Sequence, residues 1–160
     1  MDETETDLTI RPARPDDRAF VLAALPRLAE FGPPPWRPPA ELAAGEARTT
    51  EAFFTAAAPG AVMLVAERSG GERAGFVYLE RVRDYFTGEE HGHVGIIVVA
   101  AGADGRGVGG ALMRAAETWA REAGFRRLTL TVFAGNRRAR AVYEHLGYRA
   151  ETLRYVKLLD

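Results

Sequence analysis

Apolar and polar positions alternate at two spacings along this chain, and the switches between them mark its elements. Leu8-Thr9-Ile10-Arg11 alternates as a short strand. Asp16 and Asp17 stand where a helix N-cap belongs. Phe20, Val21, Ala24, Leu25 and Leu28 then recur at helical spacing, with Pro26 placed to kink or shorten the helix. The run from Gly32 to Pro39 is too rich in proline for regular structure and reads as a stiff connector or a substrate-side loop. One or two short helices are expected over Ala40 to Ala58, ended by Pro59-Gly60. Strands follow at Val62 to Glu67 and Ala74 to Arg81, joined as a hairpin by Ser69-Gly70-Gly71-Glu72. A third strand, from about His93 to Val99, ends in the continuous apolar run Ile96 to Val99, the mark of a central strand covered on both faces.

Beyond these three antiparallel strands the helical period returns. Val108, Leu112, Ala115, Ala116, Trp119 and Ala123 form one helix face, stopped by Gly124. Leu128 to Phe133 reads as a strand. Asn136 is placed to cap a short helix with Ala139, Val142, Tyr143 and Leu146 on one face, closed by Gly147. Tyr148 to Leu159 reads as one or two final strands. The order implies an α/β fold with a mixed, mostly antiparallel central sheet of six to seven strands flanked by helices. Residues 1–160 are expected to form one domain, with 1–6 disordered.

Composition narrows the classes of function. A formal net charge of -1 gives no field to draw the chain to nucleic acid or an anionic membrane. The absence of cysteine excludes disulfides, thiolate metal sites and a cysteine nucleophile. No apolar run approaches the roughly 20 residues that span a bilayer. The acidic start, Met1 to Asp7, is the opposite of a secretory or transit signal, so a cytoplasmic protein is expected. The abundance of Ala, Arg and Gly points to a bacterial source, and no metal is expected.

The candidate chemistry lies in Asp104-Gly105-Arg106-Gly107-Val108-Gly109-Gly110, between a buried strand and an amphipathic helix. Glycines let backbone N–H groups converge on one anion, and the helix N-terminus adds partial positive charge, so the turn suits a pyrophosphate. Gly105, Gly107 and Gly110 satisfy G-x-G-x-x-G, yet no carboxylate follows the next strand as a dinucleotide fold requires, and the upstream strands are antiparallel. No Gly-Lys-Ser/Thr follows to bind a nucleoside triphosphate. Coenzyme A is the ligand left.

Here the chain resembles the GNAT superfamily of N-acetyltransferases. That family carries Q/R-x-x-G-x-G/A where this chain has Asp104-Gly105-Arg106-Gly107-Val108-Gly109, then a strand followed by the block Asn136, Ala139, Tyr143 and Gly147-Tyr148. Asp104 departs from the usual Gln or Arg and is expected to face solvent, with Arg106 supplying positive charge. The resemblance implies acetyl-CoA held by Gly105, Arg106, Gly107, Val108, Gly109 and Gly110, its pantetheine arm lying between two splayed strands and bonded by Asn136. It implies a thioester carbonyl polarised by the N–H of Val98 or Val99. Tyr143 would donate a proton to the departing thiolate, although it also reads as a core aromatic. The glutamate that family members often place on the fourth strand falls here at Gly95. His93, two residues earlier on the same face, is then the candidate base, with Glu89 or Glu90 through a water, or no dedicated base, as alternatives. Trp36, Tyr85 and Phe86 either line an acceptor cleft or simply pack onto the sheet. The implied reaction is direct transfer to a small-molecule or peptide amine, in a monomer or a homodimer through the final strands. A non-catalytic acyl-CoA sensor and an NAD-binding fragment are the rival readings.

Overall fold

The computed structural model describes residues 7–160, so the expectation for 1–6 lies outside the described residues. Five strands form one sheet in the order β1 (Leu8–Pro12), β2 (Val62–Arg68), β3 (Arg73–Arg83), β4 (Glu90–Val99), β5 (Leu128–Leu130). The first four run antiparallel to their neighbours and β5 lies parallel to β4. A parallel neighbour cannot be reached by a tight turn, so the chain crosses over through a helix. That helix is α3 (Val108–Glu122), which leaves directly from the glycine turn.

Strand alternation sends side chains to two cores. On one face Val77, Leu79 and Val94 meet Val108, Leu112, Met113 and Ala116 of α3, and Tyr143 and Leu146 of α4 (Arg137–His145) pack against this cluster. On the other, Phe76, Tyr78, Ile96 and Val98 meet α1 (Arg18–Ala24), the 3₁₀ turn Leu25–Ala29 and α2 (Pro39–Ala56) through Val21, Leu25, Phe53 and Phe54. The Ile96–Val99 run is thus divided between the cores, Ile96 and Val98 to one, Ile97 and Val99 to the other. Each fully buried Val, Leu or Phe contributes about 1.5–3 kcal/mol, so these two clusters carry the fold. Gly75 lets α3 approach β3: a Cβ there would lie 2.6 Å from the Val98 carbonyl oxygen and 3.2 Å from Val108 Cγ1.

A buried ion cluster ties β1 to the sheet. The fully buried Asp17 accepts from Arg11, from Arg73 and from the Arg14 backbone N–H at 2.7 Å, and Arg11 also bonds Glu67. Burial alone would raise the Asp17 pKa, but these donors outweigh it and hold the carboxyl well below its usual range.

Two expectations need correction. The described residues hold five strands, not six or seven, because 149–160 is exposed throughout and pairs with no strand. The predicted strand Leu128 to Phe133 also ends at Leu130, where it parts from β4. As expected, Pro26 interrupts the first helix, which continues as a 3₁₀ turn. Of the one or two helices expected over Ala40 to Ala58, one forms, Pro39–Ala56. No helix is long and apolar enough to cross a membrane among the described residues.

Candidate acyl-transfer site

Two strands that start as partners and then separate create the site. Gly92, His93 and Val94 pair with Leu128, Thr129 and Leu130, and there the pairing stops. Beyond it lies a cleft of about 250 Å³ between Gly95, Ile96 and Ile97 on one side and Thr131, Val132 and Phe133 on the other. Leu28, Phe31, Leu42 and Glu46 close it from the α2 side, and Asn136 and Tyr143 from the α4 side. One end is bridged by backbone. A Cβ on Gly32 would fall 2.3 Å from the Asn136 nitrogen, so only glycine lets these two loops touch across the gap.

The glycine turn stands at the C-terminal end of β4. Gly105 and Gly107 take φ of 73° and 77°, the left-handed region that costs a side-chain-bearing residue energy. Gly107 caps α3, and the first bond within the helix is Ala111 N–H to the Gly107 carbonyl at 3.0 Å. The N–H groups of Val108, Gly109 and Gly110 precede that bond, and such first-turn donors are the ones a helix leaves open to an anion. Arg106 is exposed beside them.

Asp104 is exposed, as expected, but it is also paired. Both its carboxylate oxygens accept from Arg27 Nη2, at 2.9 and 2.8 Å, while Arg27 Nε donates to the Val99 carbonyl at 3.2 Å. One arginine from the 3₁₀ turn therefore neutralises the acidic first position of the motif and grips the end of β4. Pattern reading passed over Arg27, since nothing in the sequence joins positions 27 and 104.

Strand direction separates the two backbone candidates on β4. Ala100 N–H donates to Ala74 on the β3 side, so alternation turns the N–H of Val98 toward β3 and those of Val99 and Ile97 toward the gap. Val98 itself is buried and Val99 half-buried. Asn136 caps α4, its Oδ1 accepting from Ala139 N–H at 3.1 Å, which leaves its amide group to donate. Tyr143 is half-buried at the cleft wall, and burial pushes its hydroxyl pKa up.

His93 lies just short of the parting, its Nδ1 2.8 Å from Thr129 Oγ1, outside the cleft wall. Burial lowers its pKa, opposed by the charge of Glu80 and assisted by His91. Glu89 and Glu90 border a separate surface hollow with Asp84 and Arg127. Tyr85 and Phe86 are 93% and 87% exposed and stack only on each other, so they neither line the cleft nor pack onto the sheet. Trp36 is also exposed and outside the cleft wall.

A parted strand pair beside a helix start with open first-turn donors, with a half-buried tyrosine at the gap, is an architecture suited to acyl transfer. The family model described as the acetyltransferase (GNAT) family matches residues 25–148, and the chain belongs to that family. It is an acetyltransferase enzyme, as the sequence resemblance implied. Among solved structures, an acetyltransferase of Trypanosoma brucei is 25% identical, over 96% of this chain and 100% of that one, with a TM-score of 0.66. A ribosomal-protein-alanine N-acetyltransferase from Brucella melitensis biovar Abortus 2308 is 24% identical (95% and 99% covered, TM-score 0.68). The aminoglycoside N-acetyltransferase AAC(6')-Iy in complex with CoA is 20% identical (96% and 94% covered, TM-score 0.68). At these lower identities the likeness is one of fold. No curated protein sequence matches the chain.

Proposed function

We propose that this protein transfers the acetyl group of acetyl-CoA to a primary amine by direct attack within a ternary complex. The observation that carries the reading is the parting of β4 from β5 after Val94 and Leu130, next to the open first turn of α3. The pyrophosphate would rest on the turn of Gly105, Arg106, Gly107, Val108, Gly109 and Gly110. The pantetheine arm would enter the gap, with the Asn136 amide donating to it. The N–H groups of Val99 and Ile97 face the gap where a thioester carbonyl would lie, and such oriented donors stabilise the charge that develops on its oxygen. Tyr143, its hydroxyl pKa pushed further up by burial, would protonate the leaving thiolate. No cysteine is available to carry the acetyl group, which favours transfer in one step.

The acceptor would enter between the 3₁₀ turn, α2 and β4, past Leu28, Phe31, Leu42 and Glu46. A small molecule or a peptide amine fits this description. The same reading covers a cytoplasmic, single-domain enzyme that uses no metal, and pairing of two copies through 149–160, which light scattering tests.

Thermal unfolding with coenzyme A, acetyl-CoA and NAD tests the cofactor. Ligand at 100 times its Kd adds about 2.7 kcal/mol of stability. A rise with the two coenzymes and none with NAD supports the reading. A rise with NAD alone, or with none of them, overturns it.

A further inference from the structure

Gly95 presents no side chain on β4 just past Val94, the last residue that pairs with β5. The register explains what occupies that space. Tyr78 pairs with Ile96 and Leu79 with Val94, so Gly95 is an extra residue without a partner, a bulge of the kind that re-aims its neighbours. A Cβ on Gly95 would lie 3.0 Å from Glu80 Oε1 and 3.0 Å from Tyr78 Cδ1. The carboxylate of Glu80, on β3, thus stands over the bulge where a β4 side chain would begin. Gly95 itself is exposed and lines the cleft.

Other groups near Glu80 fit this placement. Glu80 faces His93 across the strand pair, and Glu46 of α2 lines the same cleft. Burial first, and the charge of Glu80 second, push the Glu46 carboxyl pKa up, and the same two causes raise Tyr78. Among the described residues neither Glu80 nor Glu46 takes part in a salt bridge. Glu80 is not itself part of the cleft wall, but its Oε1 stands beside Gly95, which is, and an unpaired carboxylate so placed is suited to receive a cationic amine and take its proton.

Resting on the acetyltransferase reading, we infer that Glu80, delivered from β3 over the Gly95 bulge, is the general base toward an alkylammonium acceptor. One proton passes from the ammonium to the Glu80 carboxylate. The freed nitrogen lone pair attacks the thioester carbonyl carbon, the C–S bond breaks, and the second amine proton reaches the thiolate by way of Tyr143. Amide and coenzyme A thiol leave, and Glu80 returns its proton to water.

The test follows enzyme-dependent thiol release from acetyl-CoA, after subtraction of the reaction without enzyme, with two probes, ethylamine and hydroxylamine, in wild type, Glu80→Gln and His93→Gln. Ethylamine arrives protonated at neutral pH, whereas hydroxylamine is largely unprotonated and has little need of a base. Glu80→Gln is expected to lower kcat/KM for ethylamine about 100-fold at pH 7. With hydroxylamine the loss is at least tenfold smaller. Coenzyme A binding by calorimetry reports that the variant is folded. The double variant Glu80→Ala/Gly95→Glu, which moves the carboxylate onto β4, should recover about tenfold over Glu80→Ala. Equal losses with both probes, or a loss confined to His93→Gln, overturn the assignment. No binding of coenzyme A by wild type overturns the acetyltransferase reading itself, and a failure of the two is thereby told apart.

Discussion

Arg27 and Asp104, distant in sequence, meet where the 3₁₀ turn Leu25–Ala29 touches the glycine turn, with both Asp104 oxygens on one guanidinium nitrogen at 2.9 and 2.8 Å. The contact removes a conflict at the start of the motif, where an unbalanced carboxylate would repel a pyrophosphate. It also joins the wall that bears Leu28 and Phe31 to the end of β4 through the Val99 carbonyl.

Removing Arg27 should therefore expose the charge of Asp104 to the ligand. Arg27→Ala is expected to weaken coenzyme A binding about two- to fivefold, the range of a partly exposed charge pair. Asp104→Asn added to Arg27→Ala should restore most of that loss. Calorimetry at low and high salt measures both, and an unrescued double variant would show that the charge of Asp104 is irrelevant to binding.

Tyr143→Phe keeps the ring that packs against α3 and removes only the hydroxyl. A fall of about 100-fold in kcat, with coenzyme A affinity unchanged, is expected of an acid for the thiolate. Because burial raises this pKa, the wild-type rate should show no basic limb from Tyr143 below about pH 10. Unchanged kcat in the variant would leave Tyr143 a packing residue.

Stability should depend on acid through Asp17. Its folded pKa is depressed, so its contribution is fully present above its ordinary value near about 4 and is lost as pH falls toward the folded value. Asp17→Asn leaves Arg11 and Arg73 facing a neutral amide and should cost about 3–5 kcal/mol at pH 7. Urea unfolding from pH 7 to pH 3 tests this: wild type should lose stability below pH 4 more steeply than the variant does.

Gly107→Ala probes the turn by backbone alone, since no atom lies within 4 Å of the added Cβ. With φ at 77° the substitution should cost about 1–2 kcal/mol and weaken coenzyme A binding with it. A melting temperature equal to wild type would mean that the turn relaxes without loss.

The local features were legible because each is decided within a few residues. Asn136 caps α4 as its position before Ala139 and Tyr143 implied, and Gly124 ends the pattern of α3. The turn at Gly105 and Gly107 adopts the left-handed backbone that glycine there allows. Missed features depend on what lies across space. Alternation in Tyr148 to Leu159 looked like strand, yet a strand exists only with a partner, and none is placed beside it. Leu128 to Phe133 looked like one strand, but the divergence from β4 begins at its middle.

Periodicity and glycine placement in the chain alone were enough for the order of elements from β1 to α4, the two faces of β4 and the glycine turn, since all are short-range consequences of side-chain spacing and backbone freedom, and the two motif blocks carried the resemblance to the family. Tertiary structure alone decided that Arg27 answers Asp104 and that the carboxylate of Glu80 stands over Gly95. Both contacts depend on sheet register and on the packing of the 3₁₀ turn over the end of β4, which bring together residues that no local pattern connects.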